Sequence, residues 1–468
     1  MQTDFDIIII GSGPGGYVAA IRAAQLGLKA AIVEKYKDLG GTCTVVGCIP
    51  AKALLDASEH YYDLNHKMKN MGIVAEGISL DFGKFIARKA SVVKANSDGV
   101  SYLMRKNKVQ TFFGTASFLN NSQISIKSPD GIQTVLTARY YIIATGSKPA
   151  TIPGIEIDKD RIITSTEALS LKEKPATMVI IGGGVIGVEM ASVYSRIGTK
   201  VTIIEYADAI IPTMDSDLGK ELQKILSRQG IEILVNCRVK SAKNTGSNTV
   251  VNFMDVKGTE KEITADYCLV AVGRKPYTAG LDLKKTTVET DSKGRIKTNA
   301  QLQTTTSNIY AIGDVIAGPM LAHKAEEEGT FAIETIMGLK PHINYLLIPS
   351  VVYTWPEVSG VGFTENQLKD KGIGYRKGKF PFLASGRARA AGDMDGFVKI
   401  LADVQYGEIL GVHIIGARSA DLIQQAAIAM QFEITDVDLG KMTYPHPTYS
   451  EVLKDAYLES CGCGAINI

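Results

Sequence analysis

Two cysteines five positions apart, Cys43 and Cys48, stand in the stretch Gly40-Gly41-Thr42-Cys43-Thr44-Val45-Val46-Gly47-Cys48-Ile49-Pro50-Ala51-Lys52. At that spacing the two side chains can meet on consecutive helical turns or across a bend, within reach of a disulfide if they converge. Such a pair can exchange electrons, hold a metal, or be two unrelated buried thiols. Zinc needs further ligands, and no second Cys or His pair stands nearby in sequence. A positive lysine and a helix N-terminus favour the thiolate, which is the reactive species. Far along the chain, Tyr444-Pro445-His446-Pro447-Thr448-Tyr449-Ser450-Glu451 sets a histidine near a carboxylate. Thiol oxidation needs a base that takes protons and returns them, and histidine titrates near neutral pH. A carboxylate on the far ring nitrogen fixes its tautomer, and prolines on both sides of His446 stiffen the backbone. Taken alone, a histidine near a C-terminus is more often structural.

The elements that must position these groups are written as a repeat. The first copy runs Ile7-Ile-Ile-Ile-Gly11-Ser-Gly13-Pro-Gly-Gly16, a helical stretch to Leu26, then Ala30-Ala-Ile-Val-Glu34. The second runs Val179-Ile-Ile-Gly182-Gly-Gly184-Val-Ile-Gly187, a helical stretch to Ile197, then Val201-Thr-Ile-Ile-Glu205. Both read as a β-α-β unit ending in glutamate, with Glu34 and Glu205 at the same offset from Gly11 and Gly182. The first glycine permits a tight turn, the second lets backbone approach a pyrophosphate, and the third lets helix pack on strand. The helix N-terminus then offers free N–H groups to the phosphates, and the glutamate accepts from a ribose diol. One such motif is weak; strand, helix and distal acid together, twice, read as dinucleotide binding.

Other strand-like runs end at Gly146, at Gly273-Arg274 and at Gly313-Asp314. Alternation between Phe112 and Val135, with Asn120-Asn121 and Asp130-Gly131, predicts hairpins. From about Pro349 the nucleotide signatures stop, and a separate α+β domain is expected. The fold class expected is α/β, two Rossmann-like domains plus a C-terminal α+β domain. The boundaries expected are 1–148 and 276–346 for a first dinucleotide domain in two parts, 149–275 for the second, and 347–468 for the last.

Composition bounds the rest. A chain of 468 residues is too long for one ordinary core. A net charge of +2 suggests neither a nucleic acid nor a membrane surface as partner, and no apolar run is long enough to span a bilayer. The run Ile7–Ile10 begins almost at once and reads as a buried strand, with no room ahead of it for a targeting segment. Six cysteines are too sparse for a disulfide scaffold, so a reducing compartment, the cytoplasm, is expected.

The Gly-Gly-Thr-Cys-x-x-x-x-Cys-Ile-Pro-x-Lys stretch, together with Ser350-Val-Val-Tyr-Thr-Trp-Pro-Glu-Val-Ser-Gly-Val-Gly362, resembles the pyridine nucleotide-disulfide oxidoreductases with a redox cysteine pair, over essentially the whole chain. It departs from the family's usual pattern at Thr44-Val45-Val46 and Ala51, none of which bears a redox sulfur. The resemblance implies FAD on the first repeat and the nicotinamide cofactor on the second. It implies that Cys43 and Cys48 form the redox disulfide, with Cys48 nearer the flavin, and that Asp314 holds the ribityl chain. It also implies that Lys52 sits near the flavin ring and pairs with Glu189, and that His446 and Glu451 come from the partner of a homodimer. By themselves, Asp314 reads as a turn cap and Lys52 and Glu189 as surface charges. The implied reaction oxidises a dihydrolipoyl dithiol, carried by lipoyl domains of 2-oxo acid dehydrogenase complexes or a glycine-cleavage system, with NAD⁺. The alternatives are another NAD(P)H-dependent disulfide or mercuric reductase, or a flavin-carrying subunit without turnover.

Glu205 is followed by Tyr206-Ala-Asp-Ala-Ile-Ile, which holds no Arg or Lys. A 2′-phosphate would be repelled by the carboxylate and would want arginine. NAD is therefore expected over NADP, with Lys200 directed elsewhere. His323 reads as a packing or flavin-edge residue. His413, His60, His66 and His342 read as structural, and Cys237 and Cys268 as buried and inert. No metal site is expected. The tail Ser460-Cys461-Gly462-Cys463-Gly464 resembles the C-terminal dithiols of larger reductases, but the intervening glycine leaves a relay, an accessory thiol tail, or no role as alternatives.

Overall fold

Four successive isoleucines form a strand that must be covered on both faces, and Ile7 to Ile10 are indeed at most 4 % exposed. They belong to β1 (Phe5–Ile10), which feeds α1 (Pro14–Gln25) and β2 (Ala30–Glu34). Pro14 suits the first helical position, where the missing N–H costs nothing. The buried face of α1 is Gly15, Gly16, Ala19, Ala20 and Ala23, small enough for close packing. Two helices follow, α2 (Gly41–Val46) and α3 (Cys48–His66). The second copy has the same build, with β3 (Thr177–Ile181), α4 (Val185–Arg196) and β4 (Lys200–Ile204). The computed structural model describes residues 3–467. The chain divides into two compact units, one of residues 1–53, 83–150 and 273–343, the other of 54–82, 151–272 and 344–468.

In the first unit β1 lies between β2 and the strand Gln133–Ile143, all parallel, with Gln110–Phe113 beyond β2. Strand Gln133–Ile143 serves two partnerships. Its first half runs antiparallel to Gln123–Lys127, which pairs in turn with Thr115–Asn120, as the alternation predicts. Its second half pairs parallel with both β1 and Ile309–Ala311. The helix Ala322–Ile336 packs on α1 through glycine. A Cβ at Gly329 would stand 2.5 Å from the Gly15 carbonyl oxygen, and one at Gly15 would stand 2.6 Å from that of Ala325.

In the second unit a five-stranded parallel sheet is ordered Glu232–Leu234, β4, β3, Tyr267–Val270, Ile162–Ile163. The same unit holds a five-stranded antiparallel sheet, in which β5 (Phe397–Asp403) pairs with β6 (Ile409–Gly416). This is the α+β portion expected after Pro349. Within the unit, Lys399 of β5 is fully buried and meets three carboxylates: Asp215 at 2.8 Å, Asp217 at 3.1 Å and Glu365 at 2.6 Å. Asp215 is itself fully buried and caps the helix α5 (Ser216–Arg228) by accepting from the Asp217 N–H. His413, opposite Lys399 in the β5–β6 register, is 2 % exposed with Nε2 at 2.9 Å from the Phe363 carbonyl. It has the structural character expected.

A candidate redox and dinucleotide site

The two glycine turns are built alike, atom by atom. Gly11 has φ +108° and Gly182 φ +107°, and a Cβ on either would stand within 2.5 Å of a carbonyl oxygen, that of Ala144 or Ala271. A Cβ on the third glycine, Gly16 or Gly187, would stand 2.0 Å from the carbonyl oxygen of Gly11 or Gly182. These four positions are glycine because the protein's own backbone occupies the space. The middle glycines differ. Gly13 and Gly184 have φ of −61° and −72°, which any residue adopts, and a Cβ there meets nothing within 4 Å. Both are N-caps with no side-chain bond to the helix N–H groups. Open space over an uncapped helix N-terminus is the setting that suits a pyrophosphate, and it recurs at both turns.

The terminal glutamates clamp these turns. Glu34, 6 % exposed, accepts from the Ser12 N–H at 3.0 Å and hydroxyl at 2.7 Å through Oε2, and from the Tyr36 N–H at 3.0 Å through Oε1. Glu205 accepts from the Gly183 N–H at 2.5 Å and the Ala207 N–H at 2.7 Å. Each carboxylate thus holds its own glycine loop in addition to any diol it would accept from. Lys200, the first residue of β4, is exposed.

The cysteines are brought together by a break between helices. Cys43 lies in α2, Cys48 opens α3, and Gly47 between them has φ −144° and ψ −114°. A Cβ on Gly47 would stand 2.7 Å from the Thr42 carbonyl oxygen, so this bend also needs glycine. Cys43 is half-buried and Cys48 exposed, both as free thiols. The hydrogen bond with Cys48, then burial, drives the Cys43 thiol far above its ordinary range, while Lys52, four residues past Cys48, pulls the other way. The start of α2, the helix that carries Cys43, lies against the first glycine turn: a Cβ on Gly41 would stand 2.6 Å from the Gly13 Cα, and the Gly40 N–H donates to the Ser12 hydroxyl at 3.2 Å.

Two further groups face this dithiol. Glu326 has its carboxyl raised by burial and takes a bond from the Tyr17 hydroxyl at 3.4 Å. Burial and Glu326 push the Tyr17 phenol up to about 12. No spacing rule points to either residue in the sequence. The signal available is that Glu326 lies three residues past His323, on one face of the same helix.

Asp314 sits on the short turn Gly313–Val315 and accepts from the Ser147 hydroxyl at 2.5 Å. Ser147 is held by Arg274, through Nε to its hydroxyl at 2.7 Å and through Nη2 to its carbonyl at 2.8 Å. Gly146 and Gly273, with φ +68° and +106°, lead into the two short strands that carry Ser147 and Arg274. The turn is also fixed from behind. Glu328 accepts from the Gly313 N–H at 2.7 Å and forms a fully buried ion pair with Lys324 at 2.9 Å. Lys324 and Glu328 escape a sequence reading because a charged i,i+4 pair usually marks a solvated helix face.

In the second unit, His446 Nδ1 lies 2.9 Å from Glu451 Oε1, and the Thr448 N–H donates to Oε2 at 2.9 Å. Burial would raise the Glu451 carboxyl, but the Thr448 amide and His446 outweigh it and hold it low. The imidazole is 78 % exposed. Glu189, on α4, is buried and accepts from the Tyr353 N–H at 3.0 Å. Cys237 and Cys268 are buried, and burial pushes the Cys268 thiol up to about 12. The tail cysteines Cys461 and Cys463 are joined to each other. Among the described residues no helix is long and apolar enough to cross a membrane.

Residues 5–329 match the family described as pyridine nucleotide-disulphide oxidoreductase, and residues 348–457 match its dimerisation domain. The chain is 45% identical to the mitochondrial dihydrolipoyl dehydrogenase 2 of Arabidopsis thaliana over 97% of this chain and 90% of that protein. It is 43% identical to the dihydrolipoyl dehydrogenase of Trypanosoma brucei brucei over 99% and 98%. The solved structure of an HOCl-induced flavoprotein disulfide reductase from Escherichia coli superposes with a TM-score of 0.85 at 27% identity, covering 97% of this chain and 99% of that one. The cytoplasmic placement expected above is corrected by these relatives, since those from Arabidopsis thaliana, Pisum sativum, Schizosaccharomyces pombe and Caenorhabditis elegans are mitochondrial. Sparse cysteine speaks only to a reducing environment and does not separate one such compartment from another. A doubled glycine turn, a dithiol against the first of them and a match running through both halves lead to one placement: the chain belongs to the pyridine nucleotide-disulphide oxidoreductase family.

Proposed function

We propose that this chain is an oxidoreductase that oxidises a protein-borne dihydrolipoyl dithiol with NAD⁺, through Cys43 and Cys48. The observation that carries the reading is the Cys43–Cys48 dithiol packed beside an open, uncapped dinucleotide turn. The identity of 43–45% to dihydrolipoyl dehydrogenases over nearly the full chain supports the substrate class. FAD on the first turn supplies the two-electron acceptor and NAD⁺ on the second the final hydride acceptor. Gly11, Gly13, Gly16, Glu34, Lys52, Gly146 and Asp314 would hold the flavin nucleotide. Gly182, Gly184, Gly187, Glu189, Glu205 and Gly273 would hold the nicotinamide nucleotide, within the domain boundaries expected above.

The chain's own steps begin with the disulfide form of the pair. His446, oriented by Glu451, takes the proton of one substrate thiol, and the thiolate attacks Cys43 and releases Cys48. The second substrate thiol then attacks the mixed disulfide, releasing Cys43 and the cyclic lipoyl disulfide. Two electrons and two protons leave the substrate in this exchange. His446 is exposed on its own chain, which supports its service to a partner subunit's cysteine pair in a homodimer. The partners proposed are the lipoyl domains of 2-oxo acid dehydrogenase complexes or a glycine-cleavage system.

Steady-state assays of the holoenzyme with dihydrolipoamide, glutathione and thioredoxin, each with NAD and NADP, test the reading. Turnover confined to dihydrolipoamide with NAD⁺ is expected, and a preference for either of the other thiols overturns it.

A further inference from the structure

The tripeptide Cys461-Gly462-Cys463 is the C-terminal cap of the helix α6 (Ser450–Ser460). The Cys463 N–H donates to the Leu458 carbonyl at 3.0 Å and the Gly462 N–H to that of Glu459 at 3.2 Å. Gly462 has φ +71°. This is the paired bond pattern of a helix stop with a left-handed glycine. Its geometry turns the residues on either side of the glycine toward each other, and the Cys461 and Cys463 Cα atoms stand 5.4 Å apart, joined through sulfur. The cap is tied down beyond the cysteines as well. Asp455, 2 % exposed, accepts from the Ile466 N–H and the Asn467 amide, each at 2.8 Å, and Glu459 accepts from the Ala465 N–H at 3.0 Å. Cys463 is exposed and Cys461 half-buried.

We propose that Cys461 and Cys463 form a second thiol–disulfide exchange site, separate from Cys43 and Cys48, whose substrates are small dithiols and their cyclic disulfides. An incoming thiolate attacks the exposed Cys463 sulfur. The Cys461–Cys463 bond breaks, a mixed disulfide forms on Cys463, and Cys461 leaves as a thiolate that takes up a proton. The Cys461 sulfur already lies 3.3 Å from the Leu458 carbonyl, so the thiol has an acceptor in place. The second thiol of the same reagent attacks the mixed disulfide and frees Cys463, leaving as a cyclic disulfide. The cysteine pair gains two electrons and two protons, and the dithiol loses them. A monothiol stalls at the mixed disulfide because Cys461 stands beside it and reverses the step. Closing so short a loop removes little chain entropy, and α6 keeps its own backbone bonds in either state, while the disulfide holds Gly462 to the left-handed conformation that the dithiol is free to leave. The exchange therefore needs no unfolding.

The test is thiol labelling with mass spectrometry on the full-length holoenzyme, equilibrated in buffers of stated reduced to oxidised dithiothreitol ratio. The tail peptide is expected to pass from no label to two labels across a single two-electron midpoint. At equal thiol concentration, glutathione should reduce it at least tenfold less. Gly462→Ala, which strains the left-handed position, should shift the midpoint toward the dithiol by roughly tenfold in the buffer ratio. The titration should be unchanged in Cys43→Ser, where the proposed lipoyl chemistry is absent, so the two readings fail separately. A tail labelled in every buffer or in none, or one that labels only when Cys43 is present, overturns the proposal, as do equal reduction by glutathione and an unmoved midpoint in Gly462→Ala.

Discussion

His446 and Glu451 meet at 2.9 Å across one turn of chain, with the second carboxylate oxygen already engaged by the Thr448 amide. The carboxylate is thus fixed before the imidazole is oriented. Glu451→Gln keeps an acceptor and the shape but removes the charge that stabilises an imidazolium. Turnover with dihydrolipoamide should fall about 10²-fold or more, within the usual span for acid–base groups. NADH oxidation by an artificial electron acceptor, which needs no thiol base, should stay within about twofold. Equal loss in both assays would sink the assignment.

The same pair has a sign in pH. The Glu451 carboxyl is held below its ordinary range, so its contribution to folding is fully present above a pH of about 4.3 and is lost as pH falls through the lower folded value. Acid melting curves of Glu451→Gln should approach the parent's below about pH 4 and diverge above it.

Cys43→Ser and Cys48→Ser should each abolish dihydrolipoamide oxidation while leaving the flavin bound. Removal of either sulfur leaves no disulfide to attack, and neither side chain fills the open space over Gly13. The check is the ratio of flavin absorbance to protein, with activity measured beside it.

The glycines separate folding from binding. Gly16→Ala drives a methyl to 2.0 Å from the Gly11 carbonyl oxygen, and about 3 kcal/mol or more of stability should be lost. Gly13→Ala meets only open space and should change apoprotein stability by about 1 kcal/mol or less, as at other caps. Its flavin affinity should nonetheless fall at least tenfold. Unchanged affinity in Gly13→Ala would show that nothing approaches that backbone.

Lys399→Met leaves Asp215 buried without its cation and should cost about 3–5 kcal/mol. For Asp215, burial acts to raise the carboxyl and is outweighed by His413 and Lys399; for Glu365, it is outweighed first by Lys399, and both are held low. Their stabilisation is present above about pH 4 and lost as pH falls through the folded values. Burial draws His413 down, so the parent starts to lose stability already below about pH 6.5. In the variant an unpaired Asp215 has its carboxyl raised instead, and protonation relieves it. The stability gap between parent and Lys399→Met should therefore be smaller at pH 5 than at pH 8 in chemical denaturation.

How much could be read before folding depended on how local the cause is. Gly11 answers to the Ala144 carbonyl, far along the chain, and is legible only through its motif, whereas Gly16 is local: the Gly11 carbonyl five residues back dictates it. The cysteine pair is nearly so, since Gly47 alone makes the bend. The hairpins announced by Asn120-Asn121 and Asp130-Gly131 are local too. Arg274 and Ser147 are not, because they meet across 127 positions of chain. Tyr17 and Glu326 are further apart still, at 309. Lys399 is an ordinary strand lysine until Asp215, Asp217 and Glu365 arrive from elsewhere. Glu34 and Glu205 were legible as acids of the right place, but their grip on their own loops follows only from the fold.

That buried lysine also limits how this architecture can be rearranged. Asp215 and Asp217 stand at the start of α5, whereas Lys399 belongs to the antiparallel sheet and Glu365 opens the helix Glu365–Lys371 that follows the sheet's strand Glu357–Gly362. A chimera that borrowed only one of those modules from a distant homologue would strand either an ammonium or a carboxylate in the interior. Recombination is therefore expected to succeed when both modules travel together, and the natural crossover points lie outside this pair rather than between its halves.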